Sequence, residues 1–583
     1  MKRRVNIYRL GLLVSLVAVM AVFLIWPIVL TVHGGFITPD GQFTFAYIQS
    51  IFRDPILLAG LGNSLLIACF TTLLCLLITL PLSTLAARYN FPGKALLGSL
   101  LLVPLILPPF VGAIGFRALL GRFGAINSLL VHLGLLAEDQ PGLDFLGGQV
   151  PGGQLAAIAI MEALHLYPIL FLNITAAMAN LDPTLDEAAQ NLGASRLQRF
   201  IRITLPLILP GIFAGSTIVF IWSFTELGTP LMFDYYAVTP VQVFFGLQEV
   251  ANSPRPYALV VVMLAMAVGL YLLGKLAFGG RAHAMHAKAS VASTSVQLTG
   301  WRGWFAAGAF TAVFVLAVLP HIGVVLASFS VDGSWYRSVL PQQWTGEHYV
   351  AALTHDLAML AIRNSLLYAS LAMIVCVVIG LAIAYLNIRV RIRGGWLLDA
   401  LAMLPLAVPG LVMAFGYVAM TLAWPFAEGA PLAGFFSVVG SAPNPIALLV
   451  IAYAIRRLPY VVRSVSAGLE QTSGQLEEAA LNLGASRLTA IRRIVVPLIM
   501  ANLIAGGMLA FSFAMLEVSD SLILAQKEEH FPITKAIYAF FNRLGDGPSI
   551  ASAMGVWGMA LLSVTLIGAG LLLGRRLGAI FRV

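Results

Sequence analysis

The chain has 583 residues, of which 60% are hydrophobic and only 10% are charged. A soluble globular domain has about 25% charged residues, so this chain lacks the polar side chains to cover a solvated surface. The composition excludes a cytosolic enzyme, a disordered chain and, despite the net charge of +9, a nucleic-acid binder. It predicts an all-α polytopic membrane protein in a lipid bilayer, with about twelve spanning helices of roughly 20 apolar residues each.

Apolar runs of spanning length follow one another along the whole chain, separated by polar breaks. The predicted spans are residues 9–32, 60–87, 95–119, 154–179, 206–226, 257–278, 304–327, 364–387, 396–421, 446–469, 498–519 and 549–573. Most of the 34 Lys and Arg residues fall on the same side as the N-terminus, and most acidic residues fall on the other side. Basic residues mark the cytoplasmic side of a membrane protein, so we expect both termini in the cytoplasm.

The sequence repeats itself. Segments 187–210 and 478–501, at an offset of 291, are identical at 15 of 24 positions. Upstream, Asn63-Ser64-Leu65-Leu66 recurs as Asn364-Ser365-Leu366-Leu367 at an offset of 301. Each copy has six predicted spans, and an even number returns the chain to the same side, so the copies are parallel. We therefore divide the chain into a first module (1–278), a cytoplasmic linker (279–303) and a second module (304–583).

The most similar part of the repeat is a polar cytoplasmic loop, residues 182–206 and 473–497. Its pattern predicts two short helices separated by a sharp turn at Gly193 and Gly484, because glycine tolerates positive φ. The predicted helix starts are Asp182-Pro183 and Thr472-Ser473 for the first helices, and Ser195 and Ser486 for the second. A polar loop kept alike in both copies suggests that each copy contacts the same partner surface. The alternative is an interfacial hairpin that only anchors two spans.

This loop resembles the cytoplasmic EAA loop of ABC importer permeases, whose pattern is E-A-A-x(3)-G-x(9)-I-x-L-P. The matching residues are Glu187, Ala188, Ala189, Gly193, Ile203, Leu205 and Pro206 in the first copy, and Glu478, Ala479, Ala480, Gly484, Ile494 and Pro497 in the second, where Val496 replaces the leucine. In that family the loop docks on an ATPase subunit. The resemblance implies a bacterial inner-membrane permease with two copies of a cytoplasmic ABC ATPase and an extracytoplasmic substrate-binding protein as partners.

The sequence contains no phosphate-binding loop of the form G-x-x-x-x-G-K-[ST]. We therefore expect no enzyme activity and no cofactor in this chain, with ATP and Mg bound by the separate ATPase. The fused, doubled arrangement is similar to ferric-iron permeases, so ferric iron is the expected substrate, and no metal site is assigned. Phosphonate (2-aminoethylphosphonate), thiamine and polyamine are the alternatives for the same machinery. A more distant alternative is an ion-coupled secondary transporter, which would not require matched docking loops.

Ionisable residues and prolines inside predicted spans, or directly at the end of one, are the candidates for a translocation path, because charges and broken helices are costly in lipid. These candidates are Glu226, Glu517, Asp520, Arg456, Arg457, Pro104, Pro108, Pro405 and Pro409. The glutamates have a second interpretation, which is that they cap helix ends at the outer interface. The arginines have another, that their side chains extend to the interface, and the prolines another, that they kink packed helices.

Overall fold

The computed structural model describes residues 7–38, 40–138, 142–144, 146, 152–278, 296–440 and 442–573. Most of the predicted linker, residues 279–295, lies outside this described part. The helices of its first half are α1 (Ile7–Met20), α2 (Trp26–Phe36), α3 (Ala46–Arg53), α4 (Pro55–Arg88), α5 (Lys94–Leu100), α6 (Pro109–Leu120), α7 (Ala125–His132), α8 (Gly153–Ala179), α9 (Pro183–Asn191), α10 (Arg196–Arg199), α11 (Leu205–Phe224), α12 (Gly228–Met232), α13 (Thr239–Gly246) and α14 (Arg255–Phe278).

The second half has the same kind of helices. They are α15 (Trp301–Phe329), α16 (Glu347–Thr354), α17 (Asp356–Tyr385), α18 (Gly395–Met403), α19 (Gly410–Thr421), α20 (Ile446–Gln471), α21 (Gln475–Asn482), α22 (Arg487–Ala490), α23 (Val496–Leu498), α24 (Met500–Met515), α25 (Ser519–Leu524), α26 (Ile533–Phe541) and α27 (Gly547–Leu573). Strands β1 (Tyr89–Asn90) and β2 (Val296–Gln297) form one short parallel pair. The chain is an all-α polytopic membrane protein, as the composition predicts.

Within the described residues, nine helices are long and apolar enough to cross a membrane, or eleven if each of two bent helix pairs is one span. The sequence predicts about twelve. The predicted span without a counterpart in this count is 446–469. This segment is helical, as α20, but it contains Arg456, Arg457 and Arg463 and is therefore less apolar than the others.

The third span of each repeat is broken where the prolines predict a break. Short 3-10 turns at Val103–Leu105 and Leu404–Leu406 interrupt the two spans at equivalent positions. In the second repeat the two segments, Gly395–Leu406 and Gly410–Thr421, meet at an angle of 104°. Proline has no backbone N–H and its ring clashes with the preceding turn, so it disfavours a continuous α-helix at these positions.

The described chain divides into two compact units. Each unit contains most of one sequence module together with the first spanning helix of the other module. Unit I takes its described residues from Met1–Asp54, Val243–Val261 and Glu347–Ile580, and unit II takes them from Pro55–Gln242 and Val262–Gly346. In unit II, α4 packs on α8, and α15 packs on α6. In unit I, α17 packs on α20, and α2 packs on α19. The units therefore repeat one packing pattern, with α15 and α2 in equivalent positions.

Glycines allow the closest helix approaches in this pattern, and they are also equivalent between the units. A Cβ atom at Gly115 of α6 would overlap the carbonyl oxygen of Pro320 in α15. A Cβ atom at Gly416 of α19 would lie 2.8 Å from the carbonyl oxygen of Pro27 in α2. Small residues let helix backbones approach closely in membrane proteins, where dispersion contacts drive helix association. Next to this contact, the Tyr417 hydroxyl of α19 donates to the Phe23 carbonyl at 2.8 Å, in the π-helical turn that precedes α2.

We predict that Gly115→Ala and Gly416→Ala each destabilise the protein by about 1–3 kcal/mol, because the added methyl group meets backbone atoms that cannot rotate away. Gly308→Ala is the matched control, because a Cβ atom at Gly308 of α15 has no neighbour within 4 Å. Thermal unfolding of the purified protein in detergent measures the difference. Equal melting temperatures for the two variants and the control would contradict this view of the helix contacts.

Candidate functional site

The first of the two repeated loops, residues 182–206, forms the predicted helix–turn–helix, α9 followed by α10. Asp182 caps α9, and its carboxylate accepts hydrogen bonds from the Thr184 N–H at 2.9 Å and the Thr184 hydroxyl at 2.8 Å. These hydrogen bonds lower the pKa of Asp182. Gly193 has φ of +82°, as the turn requires. Ser195 and Gln198 then form a reciprocal capping box at the start of α10.

The second loop has the same design, with one difference at its start. Gly484 has φ of +88°, and Ser486 caps α22 by accepting from the Thr489 N–H at 3.2 Å. The first helix of this loop, α21, begins at Gln475, and the Ser473 hydroxyl of the predicted start accepts a hydrogen bond from the Gln475 N–H at 3.2 Å. Thr472 instead ends α20, where its hydroxyl lies 3.2 Å from the Gly468 and Leu469 carbonyl oxygens.

Both loops present the same side chains to solvent. Glu187, Ala188, Glu478 and Ala479 are exposed, whereas Ala189 and Ala480 are half-buried. Three leucines in each loop are also exposed, and they occupy equivalent positions: Leu185, Leu192 and Leu197, and Leu476, Leu483 and Leu488. The sequence analysis did not single out these leucines, although their recurrence at the offset of 291 could have indicated them. We call each set, with its Glu-Ala-Ala residues, a docking surface.

The structure brings four of the predicted path residues together in unit I. Arg456 Nη1 lies 2.5 Å from Glu517 Oε1, and Arg457 donates to the other oxygen of the same carboxylate. Arg456 Nη1 also lies 3.6 Å from Asp520 Oδ2, an ion-pair distance longer than a hydrogen bond. The Glu517 and Asp520 side chains are only 4% and 1% exposed. We call these four residues, two arginines and two acidic residues, the ion network.

The ion network adjoins the broken third span. A cleft between α19, α20 and α25 is lined by Pro405, Tyr417, Arg456 and Asp520, together with apolar side chains. Neither carboxylate oxygen of Asp520 has a hydrogen-bond partner among the described residues. Gly410, next to Pro409 at the start of α19, leaves the space for the Arg456 guanidinium, which a Cβ atom there would overlap. The arginine therefore fits against the break itself.

The equivalent region of unit II has different polar groups. Glu226 Oε1 accepts a hydrogen bond from the Gly228 N–H at 3.1 Å, in the first turn of α12, which is the helix that follows the fifth span. Where unit I has Arg456, unit II has His165, whose Nδ1 lies 2.8 Å from the Pro104 carbonyl oxygen. The Pro108 carbonyl oxygen lies 3.3 Å from Nε2 of His321.

Unit II also buries a carboxylate that the sequence analysis missed. Glu162 of α8 is 2% exposed, and it accepts a hydrogen bond from the Ser223 hydroxyl while Thr71 Oγ1 lies 3.4 Å away. Its signal in the sequence is a single carboxylate in the middle of an apolar run. In the described residues no group of three or more His, Cys, Asp or Glu side chains could hold a metal ion.

The model of the protein family described as binding-protein-dependent transport system inner membrane component matches residues 79–283 and 376–578. The chain belongs to this family. The two matches place one such component in each repeat, and together they cover more than half of the chain. The chain is accordingly an inner-membrane, multi-pass permease of an ABC importer, and its family works with a substrate-binding protein.

Three relatives match this permease over most of its length. The ferric transport system permease protein FbpB of Actinobacillus pleuropneumoniae is 27% identical over 561 residues, which are 92% of this chain and 74% of that protein. The putative ferric transport system permease protein FbpB 1 of Haemophilus influenzae is 27% identical, over 86% of this chain and 73% of that protein. The probable ABC transporter permease protein y4fN of Sinorhizobium fredii is 28% identical, over 86% and 85%. These relatives are transport proteins rather than enzymes.

We predict that Glu517→Ala destabilises the permease by about 3–5 kcal/mol, because it leaves two half-buried arginines without the buried carboxylate that they share. Asp399→Ala is the matched control. It removes a carboxylate that pairs with Arg463 at 3.9 Å, but both side chains of this pair are about half exposed. Such an exposed pair contributes about 0–1 kcal/mol. Thermal unfolding in detergent tests the difference, and equal shifts for the two variants would contradict a structural role of the ion network.

Proposed function

We propose that this permease imports ferric iron, delivered by an extracytoplasmic binding protein, and is driven by two copies of a cytoplasmic ABC ATPase. The two relatives whose names include ferric transport match this chain over 92% and 86% of its length, and they support iron as the substrate. ATP and Mg would be bound by the ATPase copies. The excess of Lys and Arg on the side of the N-terminus supports cytoplasmic termini.

The pair of docking surfaces carries this proposal. Leu192 and Leu483 are 88% and 90% exposed, directly before the glycine turn of each loop. Apolar side chains that protrude in this way from a polar loop are typical of a protein contact site. Beside them, Glu187 and Glu478 present a carboxylate, and the adjacent alanines leave room for a partner to approach. Two equal surfaces on one chain fit two identical ATPase subunits.

We also propose that the ion network of unit I contributes polar groups to the translocation path. Asp520 supports this proposal, because a buried carboxylate whose oxygens have no donor within the described residues is costly to maintain. It lies at the cleft beside Pro405, where the break of the third span interrupts the regular helix.

We predict that the double variant Glu187→Arg, Glu478→Arg loses the ATPase on co-purification and loses ATP-dependent uptake. The reason is that the reversed charges lie in the middle of both docking surfaces. Each single variant retains one intact surface and is expected to lose less. The measurement is the amount of ATPase retained per permease on an affinity column.

Glu528→Arg is the matched control for this experiment, because it reverses an exposed charge on the predicted outer side. Its ATPase binding should equal that of the wild-type permease. Full ATPase binding and ATP-dependent uptake by the Glu187→Arg, Glu478→Arg variant would contradict the docking assignment. Uptake that follows an ion gradient and needs no ATP would instead favour a secondary transporter.

We predict that the permease, reconstituted with its ATPase and binding protein, takes up radioactive Fe³⁺ only in the presence of ATP. Uptake of 2-aminoethylphosphonate, thiamine and polyamine should stay at the level of vesicles without permease. Titration of the binding protein with the same four compounds is an independent check. A binding protein that takes one of the other three and has no affinity for Fe³⁺ would rule out iron as the substrate.

A further inference from the structure

We call α9 and α21, the first helix of each docking surface, the docking helices. An arginine joins each docking helix to the second span of its own repeat. Arg88 is the last residue of α4, and its Nη1 lies 3.8 Å from Asp186 Oδ2 in α9. Arg389 lies in the π-helical turn Leu386–Val390 that follows α17, and its Nε lies 3.9 Å from Glu477 Oε2 in α21. The arginines correspond at the offset of 301, and the acids correspond at 291. The same ion pair therefore occurs in both units, and the sequence analysis missed it although the offsets could have revealed it.

Each docking helix thus has an inward acid next to its outward one. The Asp186 and Glu477 side chains are 28% and 10% exposed, whereas the following residues, Glu187 and Glu478, are exposed to solvent. Successive residues of an α-helix point about 100° apart, so neighbouring carboxylates face different surroundings. One carboxylate is held by the membrane part of the unit, and the other is presented to a partner.

Each arginine also contacts a third element. Arg88 donates to the Thr204 hydroxyl at 2.5 Å, just before α11. Arg389 donates to the Thr472 carbonyl at 2.8 Å and to its hydroxyl at 2.7 Å, at the end of α20. The two arginines therefore fix the position of a docking helix relative to two spans.

The opposite ends of α4 and α17 hold an outer segment, through the Asn-Ser pair that the repeat preserves. In unit II, Ser64 Oγ accepts from the Thr239 N–H at 2.9 Å. In unit I, Ser365 Oγ accepts from the Ile533 N–H at 2.7 Å. The next residue, Thr534, donates its hydroxyl to the Glu517 carbonyl at 2.7 Å. A continuous series of contacts thus leads from Glu477 through α17 to the ion network.

We propose that Arg88 and Arg389 are positioning residues that transmit movement of the docking helices along α4 and α17 to the outer segments at Ser64 and Ser365. This inference rests on the proposed docking of ATPase subunits. An α-helix rises 1.5 Å per residue, so the 24 residues from Ser64 to Arg88, or from Ser365 to Arg389, span about 36 Å. Under this proposal, each helix carries the movement between the polar contacts near its two ends.

The experiment uses the permease reconstituted with its ATPase and binding protein, and it measures how strongly the loaded binding protein stimulates ATP hydrolysis. The variant Arg88→Ala, Arg389→Ala should keep its bound ATPase and its basal hydrolysis but lose about fivefold of this stimulation. Arg88→Lys, Arg389→Lys, which retains the charge, should recover part of it. Arg393→Ala is the matched control, because it removes an exposed charge next to the same turn.

A second variant covers the possibility that Arg389→Ala fails to fold with Glu477 left unpaired. Arg389→Ala, Glu477→Gln removes both charges and keeps a side chain for the Tyr385 hydroxyl, and it should fold and still lose stimulation. Ser365→Ala should lower stimulation as well, and adding it to Arg389→Ala should cause little further loss if both lie on one path.

Two outcomes would overturn the inference. One is wild-type stimulation in the folded alanine variants. The other is loss of the bound ATPase from them, which would assign the arginines to docking rather than to transmission. If the wild-type permease itself retains no ATPase, the proposed function is overturned and this inference with it, so the two failures are distinguishable.

Discussion

Lipid tails offer no hydrogen bonds, so every polar group inside a membrane span needs a partner from the protein itself. The proline breaks in the third span of each repeat leave backbone carbonyl oxygens that need such partners, at equivalent positions of the two units. In unit II, His165 and His321 lie against the carbonyl oxygens of Pro104 and Pro108. In unit I, the Arg456 guanidinium lies over Gly410, at the start of the helix that follows the break. The side chains of His165, His321 and Arg456 therefore lie at the breaks.

The position of Arg456 at this break explains why unit I has acidic residues nearby. A buried cation is tolerated when carboxylates compensate it, and Glu517 and Asp520 supply them from the turn before α25 and from its first residues. Unit II has His165 at the same position, and its Nδ1 lies against the Pro104 carbonyl oxygen. Under the proposed function this divergence has a reason. Two identical ATPase subunits require two equal docking surfaces, whereas a single cargo does not require two equal interiors.

The sequence predicts most of the scaffold because apolar length, proline and glycine act locally. The spans, the breaks at Pro104 and Pro405, and the turns at Gly193 and Gly484 are of this kind. It does not predict that Arg456 and Arg457 share the Glu517 carboxylate, because that contact joins residues about 60 positions apart on different helices. It also misses the exchange of α2 and α15 between the two packing units, since hydropathy does not specify which neighbour a span chooses.

The ion pairs of Arg88 and Arg389 are better explained by geometry than by stability. They lie near the ends of spans. The partly exposed pair of Arg88 with Asp186 adds only about 0–1 kcal/mol, so stability gives little reason for the first repeat to have it. Arginine has a planar fork of donors that can bind a carboxylate and a threonine oxygen at once, which the single ammonium of lysine does less well. The remaining partners differ: Arg199 also holds Asp186 at 3.0 Å, and the Tyr385 hydroxyl holds Glu477. What the two units share is the connection between a docking helix and the end of a long span. The repetition of that connection supports the proposal that the two arginines position the docking helices.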